Sequence, residues 1–180
     1  SQWLDSDNDT YGDNINGVRG DSCPTIWGNS SMDRYGCVDS DGDGWSDLND
    51  GFLNDETRYA DTDKDGVEDE YDDFPYDPTQ TTDSDGDGMG DNPMGIGADK
   101  FPDDVTQWSD IDGDGYGDNQ TGNNSDAFPT DTTQWADQDG DGYGDNPAGN
   151  LYDLFLNDST QWADYDGDGL GDNQSGNNPD

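Results

Sequence analysis

The triplet Asp-x-Asp-x-Asp constrains this chain more than any other feature. It starts at Asp5, Asp39, Asp61, Asp83, Asp110, Asp137 and Asp164, at intervals of 34, 22, 22, 27, 27 and 27 residues. A recurrence of this length marks an array of small units, each leaning on the next. In a tightly curled loop, three alternate carboxylates converge on one point. Two carboxylates ~4 Å apart repel by roughly 4 kcal/mol at an effective dielectric of ~20. A chain built from such triplets therefore either stays open or folds around cations.

Composition sharpens the choice. The 180 residues carry 46 acidic side chains, five basic ones and no histidine, for a net charge of −41. All but three of the acids (Glu56, Glu68, Glu70) are aspartates. Aspartate is the shorter carboxylate and suits tight loops where several oxygens meet. Hydrophobic residues make up 26% of the chain, too few for one large core. The charge excludes nucleic acid as a direct partner. No apolar run is long enough to span a membrane, and no leader is visible.

The repeats come in two lengths. The boundaries are 1–38 for a degenerate first repeat, then 39–60 and 61–82, then 83–109, 110–136 and 137–163, and 164–180 for a truncated seventh. In the short repeats the twelfth residue is Asp50 or Asp72, two places before Phe52 or Phe74. In the long ones the equivalent Asp99, Asp126 and Asp153 come five places later, again two before a Phe. The long form is thus the short form with five residues inserted after position 9. The inserts are rich in Gly, Asn, Pro and Gln and read as surface loops. The chain opens on Ser1-Gln2-Trp3, the closing piece of a repeat, and Asp180 is the counterpart of Asp126. These out-of-phase ends suggest a longer repetitive chain or self-association.

The expected fold class is mostly irregular loop, with a few short β segments around Thr-Gln-Trp and Phe-Pro and no substantial helix. Gly and Asp are too dense, and no 3.6-residue apolar stripe exists. The architecture expected is a linear, rod-like repeat array stabilised by calcium.

Calcium takes six to eight hard oxygen ligands, which this loop offers. Position 1 is Asp5, Asp39, Asp61, Asp83, Asp110, Asp137 or Asp164; position 3 is Asp7, Asp41, Asp63, Asp85, Asp112, Asp139 or Asp166. Position 5 is Asp9, Asp43, Asp65, Asp87, Asp114, Asp141 or Asp168. Position 7 varies (Tyr11, Trp45, Val67, Met89, Tyr116, Tyr143, Leu170), as expected where the backbone carbonyl is the ligand. Position 9 is Asp13, Asp47, Asp69, Asp91, Asp118, Asp145 or Asp172, and the closing residue is Asp21, Asp50, Asp72, Asp99, Asp126, Asp153 or Asp180. Gly at position 6 permits the sharp turn; the first repeat has Thr10 there. At least one ion per repeat is expected. Asp55, Asp77, Asp104, Asp131 and Asp158 are candidates for a second site. Without flanking helices or a closing Glu, the loop is no EF-hand and implies no opening sensor.

Asp39-Ser-Asp-Gly-Asp-Gly-Trp-Ser-Asp-Leu-Asn-Asp50 and Asp61-Thr-Asp-Lys-Asp-Gly-Val-Glu-Asp-Glu-Tyr-Asp72 resemble the thrombospondin type 3 calcium repeat, Asp-x-Asp-x-Asp-Gly-x-x-Asp-x-x-Asp. Asp21-Ser22-Cys23-Pro24 is similar to that family's Asp-x-Cys-Pro ending. The resemblance implies a largely non-helical chain wrapped on calcium, with ions replacing a core. The five-residue insertions and the scarcity of cysteine depart from that pattern.

Cys23 and Cys37, the only cysteines, are expected to form a structural disulfide in an oxidising compartment. The recurring aromatics (Trp108, Trp135, Trp162, Phe101, Phe128, Phe155 and the loop tyrosines) read as a miniature core between neighbouring repeats rather than a carbohydrate surface. Sequons stand at Asn8, Asn29, Asn119, Asn123, Asn157 and Asn173; all but Asn8, inside a metal loop, are candidate glycosylation sites. With no His, Cys-His pair or phosphate loop, and every carboxylate in a repeat role, the chain is not expected to be an enzyme. The function expected is an extracellular or cell-surface rod, filament or appendage stiffened by calcium, or else a stalk presenting a domain outside this segment.

Overall fold

The computed structural model describes residues 4–180, so the expectation for Ser1-Gln2-Trp3 lies outside the described residues. No helix forms among the described residues. Among the described residues, extended pairing is confined to five isolated parallel bridges: Gly12–Gly20, Gly90–Ala98, Gly117–Ser125, Gly144–Tyr152 and Gly171–Pro179. The loop-dominated class is as expected, but the β pairing is elsewhere. Thr-Gln-Trp and Phe-Pro lie in turns and irregular backbone. The bridges instead join positions 8 and 16 of the three long repeats and of the first and seventh, closing the neck of the segment before the closing Asp. The chain divides into two compact lobes, Ser1–Thr82 with Met94–Ile96, and Asp83–Pro93 with Gly97–Asp180.

Each repeat opens with a hydrogen-bonded loop. The position-9 amide donates to the carbonyl just before the triplet, as in Asp47 to Val38 (2.8 Å), Asp118 to Ser109 (2.9 Å) and Asp145 to Ala136 (2.9 Å). The left-handed region is entered at position 6 and also at position 4, shown by Gly42 (φ 90°) and Gly44 (φ 101°). Where the first repeat lacks both glycines, Asn8 (φ 65°) and Thr10 (φ 85°) adopt the same conformation. Asn tolerates it; a β-branched Thr does so under strain.

The closing Asp returns to one place in both repeat lengths. Its amide bonds to the position-8 carbonyl directly in the short form (Asp50 to Ser46, 3.0 Å) and across the insertion in the long form (Asp126 to Gly117, 2.8 Å; Asp153 to Gly144, 2.9 Å). The five extra residues are therefore spliced out of the loop as a closed excursion. Two turns follow: Asp131 N–H to Phe128 O (2.8 Å), then Gln134 N–H to Asp131 O (2.9 Å).

No apolar core forms; Cys37 is the only fully buried hydrophobic residue among those described. The largest fully buried side chains are Gln80, Gln107, Gln134 and Gln161, each 1% exposed. These close one repeat and enter the insertion of the next. Gln134 Nε2 donates to the carbonyls of Asn146 (3.1 Å) and Asn150 (2.7 Å), and its Oε1 accepts from Asn146 N–H (2.9 Å). Gln107 makes the same three bonds with Asn119 and Asn123, and Gln161 with Asn173 and Asn177. Gln80 reaches Ile96 O at 3.0 Å. The insertions lie at the surface as expected, with Gln120, Thr121 and Asn123 exposed, and their backbone also forms a socket for the glutamine. A buried amide with its donors and acceptor satisfied holds its place as firmly as an apolar plug, and more selectively.

The socket also explains glycine at position 8. A Cβ on Gly144 would lie 2.0 Å from Gln134 Cδ, and one on Gly117 would lie 2.0 Å from Gln107 Oε1. The short repeats have no insertion to fill, and position 8 carries side chains, Ser46 and Glu68. Ahead of them, Arg58 stands in the Gln place three residues before Asp61, and Arg34 stands five residues before Asp39. Arg58 turns back on its own repeat, pairing with Asp55 at 2.8 Å and covering the Phe52 ring at 4.1 Å.

The aromatic rings pair within repeats, not between them as expected. Position 7 stacks on the closing aromatic in Trp45–Tyr59 (4.6 Å), Tyr116–Trp135 (5.1 Å) and Tyr143–Trp162 (4.8 Å). The long repeats are joined to the preceding repeat by the glutamines, and repeats 1 and 2 by Asp33, which accepts from Ser46 and Asn49. The disulfide forms as expected between Cys23 and Cys37, with Cα atoms 5.1 Å apart. Closing a loop of that size contributes roughly 3 kcal/mol.

Two outcomes follow for denaturant unfolding. Thr10→Gly should stabilise the first lobe by about 1 kcal/mol by relieving the position-6 strain. Gly144→Ala should destabilise the second lobe by about 2 kcal/mol, because its Cβ overlaps the seated Gln134.

Candidate metal centres

The loop's own amides divide its carboxylates into two classes. Position 1 accepts two of them: Asp39 takes Gly42 N–H (2.7 Å) and Gly44 N–H (3.0 Å), and Asp137 takes Gly140 N–H (2.7 Å) and Gly142 N–H (2.9 Å). Position 9 clamps position 2, with Asp47 accepting both the amide and the hydroxyl of Ser40 at 2.7 Å. Asp13–Ser6, Asp69–Thr62 and Asp91–Ser84 repeat that clamp. These residues shape the loop, and each oxygen keeps a second lone pair for a ligand.

The other class is only half satisfied. At position 5 and at the closing Asp, one oxygen accepts an amide two residues on: Asp141 takes Tyr143 N–H (2.8 Å), and Asp126 takes Phe128 N–H (2.7 Å). The second oxygen is buried without a donor. Such orphans occur at position 3 (Asp7, Asp63, Asp85, Asp112, Asp139), at position 5 (Asp9, Asp43, Asp65, Asp87, Asp114, Asp141) and at the closing residue (Asp21, Asp99, Asp126). Every unpartnered buried oxygen among the described residues belongs to one of these three positions. Asp21 is 0% exposed and Asp126 1%. An ionised carboxylate is not buried this way unless a cation neutralises it.

The electrostatics place the same groups together. Burial raises the pKa of Asp126 above the usual carboxylate value, as do the charges of Asp114, Asp112 and Asp118, against the opposing Phe128 hydrogen bond. Burial likewise raises Asp153, with Asp141, Asp139 and Asp145 adding to it, and Asp99, with Asp87, Asp85 and Asp91. Asp21, Asp50 and Asp72 are raised by the same causes. In each, positions 5, 3 and 9 press on the closing residue, so the insertion does not separate it from its loop. A site that disfavours its own charge favours a proton or a metal ion.

Within each triplet the oxygens can meet on one ion. One carboxylate oxygen each from Asp39, Asp41 and Asp43 lies within 4.8 Å of the others, as do those of Asp110, Asp112 and Asp114. Asp5–Asp7–Asp9, Asp61–Asp63–Asp65 and Asp83–Asp85–Asp87 form equal groups. The donors are all oxygen, and both cysteines are in the disulfide. A hard divalent cation fits such a set, whereas zinc and copper favour nitrogen and sulfur.

The candidate second-site residues have other partners. Asp104 Oδ1 accepts the Thr106 hydroxyl (2.6 Å) and amide (3.1 Å); Asp131 and Asp158 hold Thr133 and Thr160 in the same way, and Asp77 holds Thr79. The threonine hydroxyl is the chief cause lowering the pKa of Asp104, Asp131 and Asp158, and Thr57 does the same for Asp55. Asn119 and Asn173, two of the sequon residues, donate their side-chain amides to Thr106 O (2.8 Å) and Thr160 O (2.7 Å) in the socket. Asn123 bonds Asp104 (3.2 Å), Asn157 accepts from Gln138 (2.6 Å), and Asn29 is exposed. The socket roles of Gln and Asn were missed from sequence, although Gln-(Trp/Thr) before long repeats and Arg-Tyr before short ones is visible in it.

No protein-family model matches the chain, and no curated protein matches it either. No helix among the described residues is long and apolar enough to cross a membrane.

The two carboxylate classes separate by mutation. Asp126→Asn should remove one tightly bound divalent ion per chain, counted by equilibrium dialysis and atomic emission. Asp131→Asn should leave the count unchanged; a loss there would assign Asp131 to a second ion.

Proposed function

We propose that this chain is a calcium-binding structural repeat protein, thrombospondin type 3-like, that serves outside the cell as an extended segment made rigid by bound ions. The observation that carries the reading is the recurrence of orphaned, buried carboxylate oxygens at positions 3 and 5 and at the closing Asp. Calcium is favoured over magnesium because several carboxylates crowd each loop. Calcium accepts six to eight oxygens in irregular geometry, whereas magnesium keeps an octahedral, largely hydrated shell. The position-7 carbonyl supplies a further oxygen, and at least one ion occupies each repeat.

The disulfide supports an oxidising, extracellular setting. The structural role is supported by the joints, whose side-chain bonds run from one repeat to the next in sequence at separations of 12 to 19 residues. Binding energy at such sites is folding energy, so ions and shape are gained together.

Titration with calcium, read by isothermal calorimetry and small-angle scattering, tests this reading. Saturable binding of at least one ion per repeat, together with a chain that becomes stiff and extended, is expected. Chelation should return it to a broad ensemble. A scattering profile indifferent to both calcium and chelator would refute the proposal.

A further inference from the structure

A run of hydrogen bonds, completed by the packing of Gln134 on Gly144, links the loops of repeats 5 and 6, and we infer that it makes them fill cooperatively, with Gln134 as the positioning residue that couples them. This rests on the calcium reading above. At the loop 5 end, Asp126 leaves one oxygen for the ion while the other holds Phe128 N–H at 2.7 Å. Phe128 O takes Asp131 N–H (2.8 Å), and Asp131 O takes Gln134 N–H (2.9 Å). The Gln134 side chain then crosses into repeat 6, bonding Asn146 and Asn150 and lying flat on Gly144.

Gly144 sits between position 7, Tyr143, and position 9, Asp145. Its carbonyl accepts the amide of Asp153, the closing carboxylate of loop 6, at 2.9 Å. Seating Gln134 and placing Asp153 are therefore one event. A ring contact runs alongside: Tyr116, at position 7 of loop 5, stacks at 5.1 Å on Trp135, the residue after Gln134. Thr133 and Asp131 brace the joint through Asn146 Nδ2 (2.8 Å), Asn150 N–H (2.9 Å) and Asn150 Nδ2 (3.2 Å).

An ion in loop 5 fixes Asp126 and the turns behind it, so Gln134 is presented ready to seat. Loop 6 then has less disorder to lose when its own ion arrives. Linkage requires the reverse effect to be equal. The joint between repeats 2 and 3 supplies the contrast. There Arg58 folds back on Asp55, and repeat 3 has no insertion to receive a plug.

The test is a calcium titration of the full chain followed by amide NMR, in about 0.5 M KCl to screen charge effects through solvent. Gly115 and Gly142 donate to the position-1 Asp of their own loops at 3.0 and 2.9 Å, so each amide reports one loop. Asp141→Asn disables loop 6 and should raise the calcium midpoint at Gly115 about five-fold or more. In a Gln134→Met background, which keeps the volume but loses the bonds, Asp141→Asn should leave Gly115 unmoved. If Gln134→Met prevents loop 6 from saturating, Gln134→Asn, too short to span the joint, takes its place. Asp65→Asn in repeat 3 should not move Gly44 in repeat 2. A Gly115 midpoint indifferent to Asp141→Asn with Gln134 present, an equal shift without it, or an equal shift across the repeat 2–3 joint would overturn the coupling. Failure of any loop to bind calcium would instead overturn the calcium reading.

Discussion

Everything in this fold depends on buried carboxylate oxygens that have no donor. Each loop turns three or more aspartates inward, and its own amides can satisfy only some of their oxygens. Positions 1 and 9 accept the loop's N–H groups and so set its curvature. In the first six loops most carboxylates at positions 3 and 5, with the closing Asp21, Asp99 and Asp126, keep at least one oxygen unpaired in a space shut off from water. Burial and the charges of the neighbouring carboxylates both push the closing Asp126 and Asp153 towards neutrality. A hard cation seated among these oxygens would resolve that conflict.

A hydrophobic core plays almost no part. In its place, four glutamines sit at 1% exposure between repeats, and Gln107, Gln134 and Gln161 are bonded through both ends of the amide. An apolar plug would fit many pockets about equally well. A primary amide lying against glycine requires its acceptors and donor at set places, so it fixes which insertion it enters. The pairing is consistent along the chain: Gln precedes long repeats with Gly at position 8, and Arg precedes short repeats with Ser46 or Glu68 there. Two kinds of joint are thereby written into one array, one bonded across the boundary and one closed on itself at Arg58.

The triplets, the two repeat lengths, the non-helical class and the disulfide were legible in the sequence, because each follows from local spacing and residue chemistry. The left-handed glycines at position 6 were legible too; those at position 4 were not, although Asn8 and Lys64 adopt the same conformation there. The aromatics were misplaced, since once-per-repeat rings read equally well as contacts within or between repeats. Only the backbone path decided that Tyr143 stacks on Trp162 of its own repeat.

The insertions show where sequence reading stops. Their Gly, Asn and Pro content signals irregular backbone, and irregular backbone is usually solvated surface. Whether it also presents converging carbonyls depends on how the chain closes, and that closure is the long-range bond from Asp126 to Gly117 or from Asp153 to Gly144. By itself the sequence determined that carboxylates must converge in repeating loops, because alternation and turn residues act over a few positions. Only the tertiary structure decided which oxygens are left unpaired and which side chain joins one loop to the next. Both depend on groups 9 to 17 residues apart whose meeting no local preference specifies.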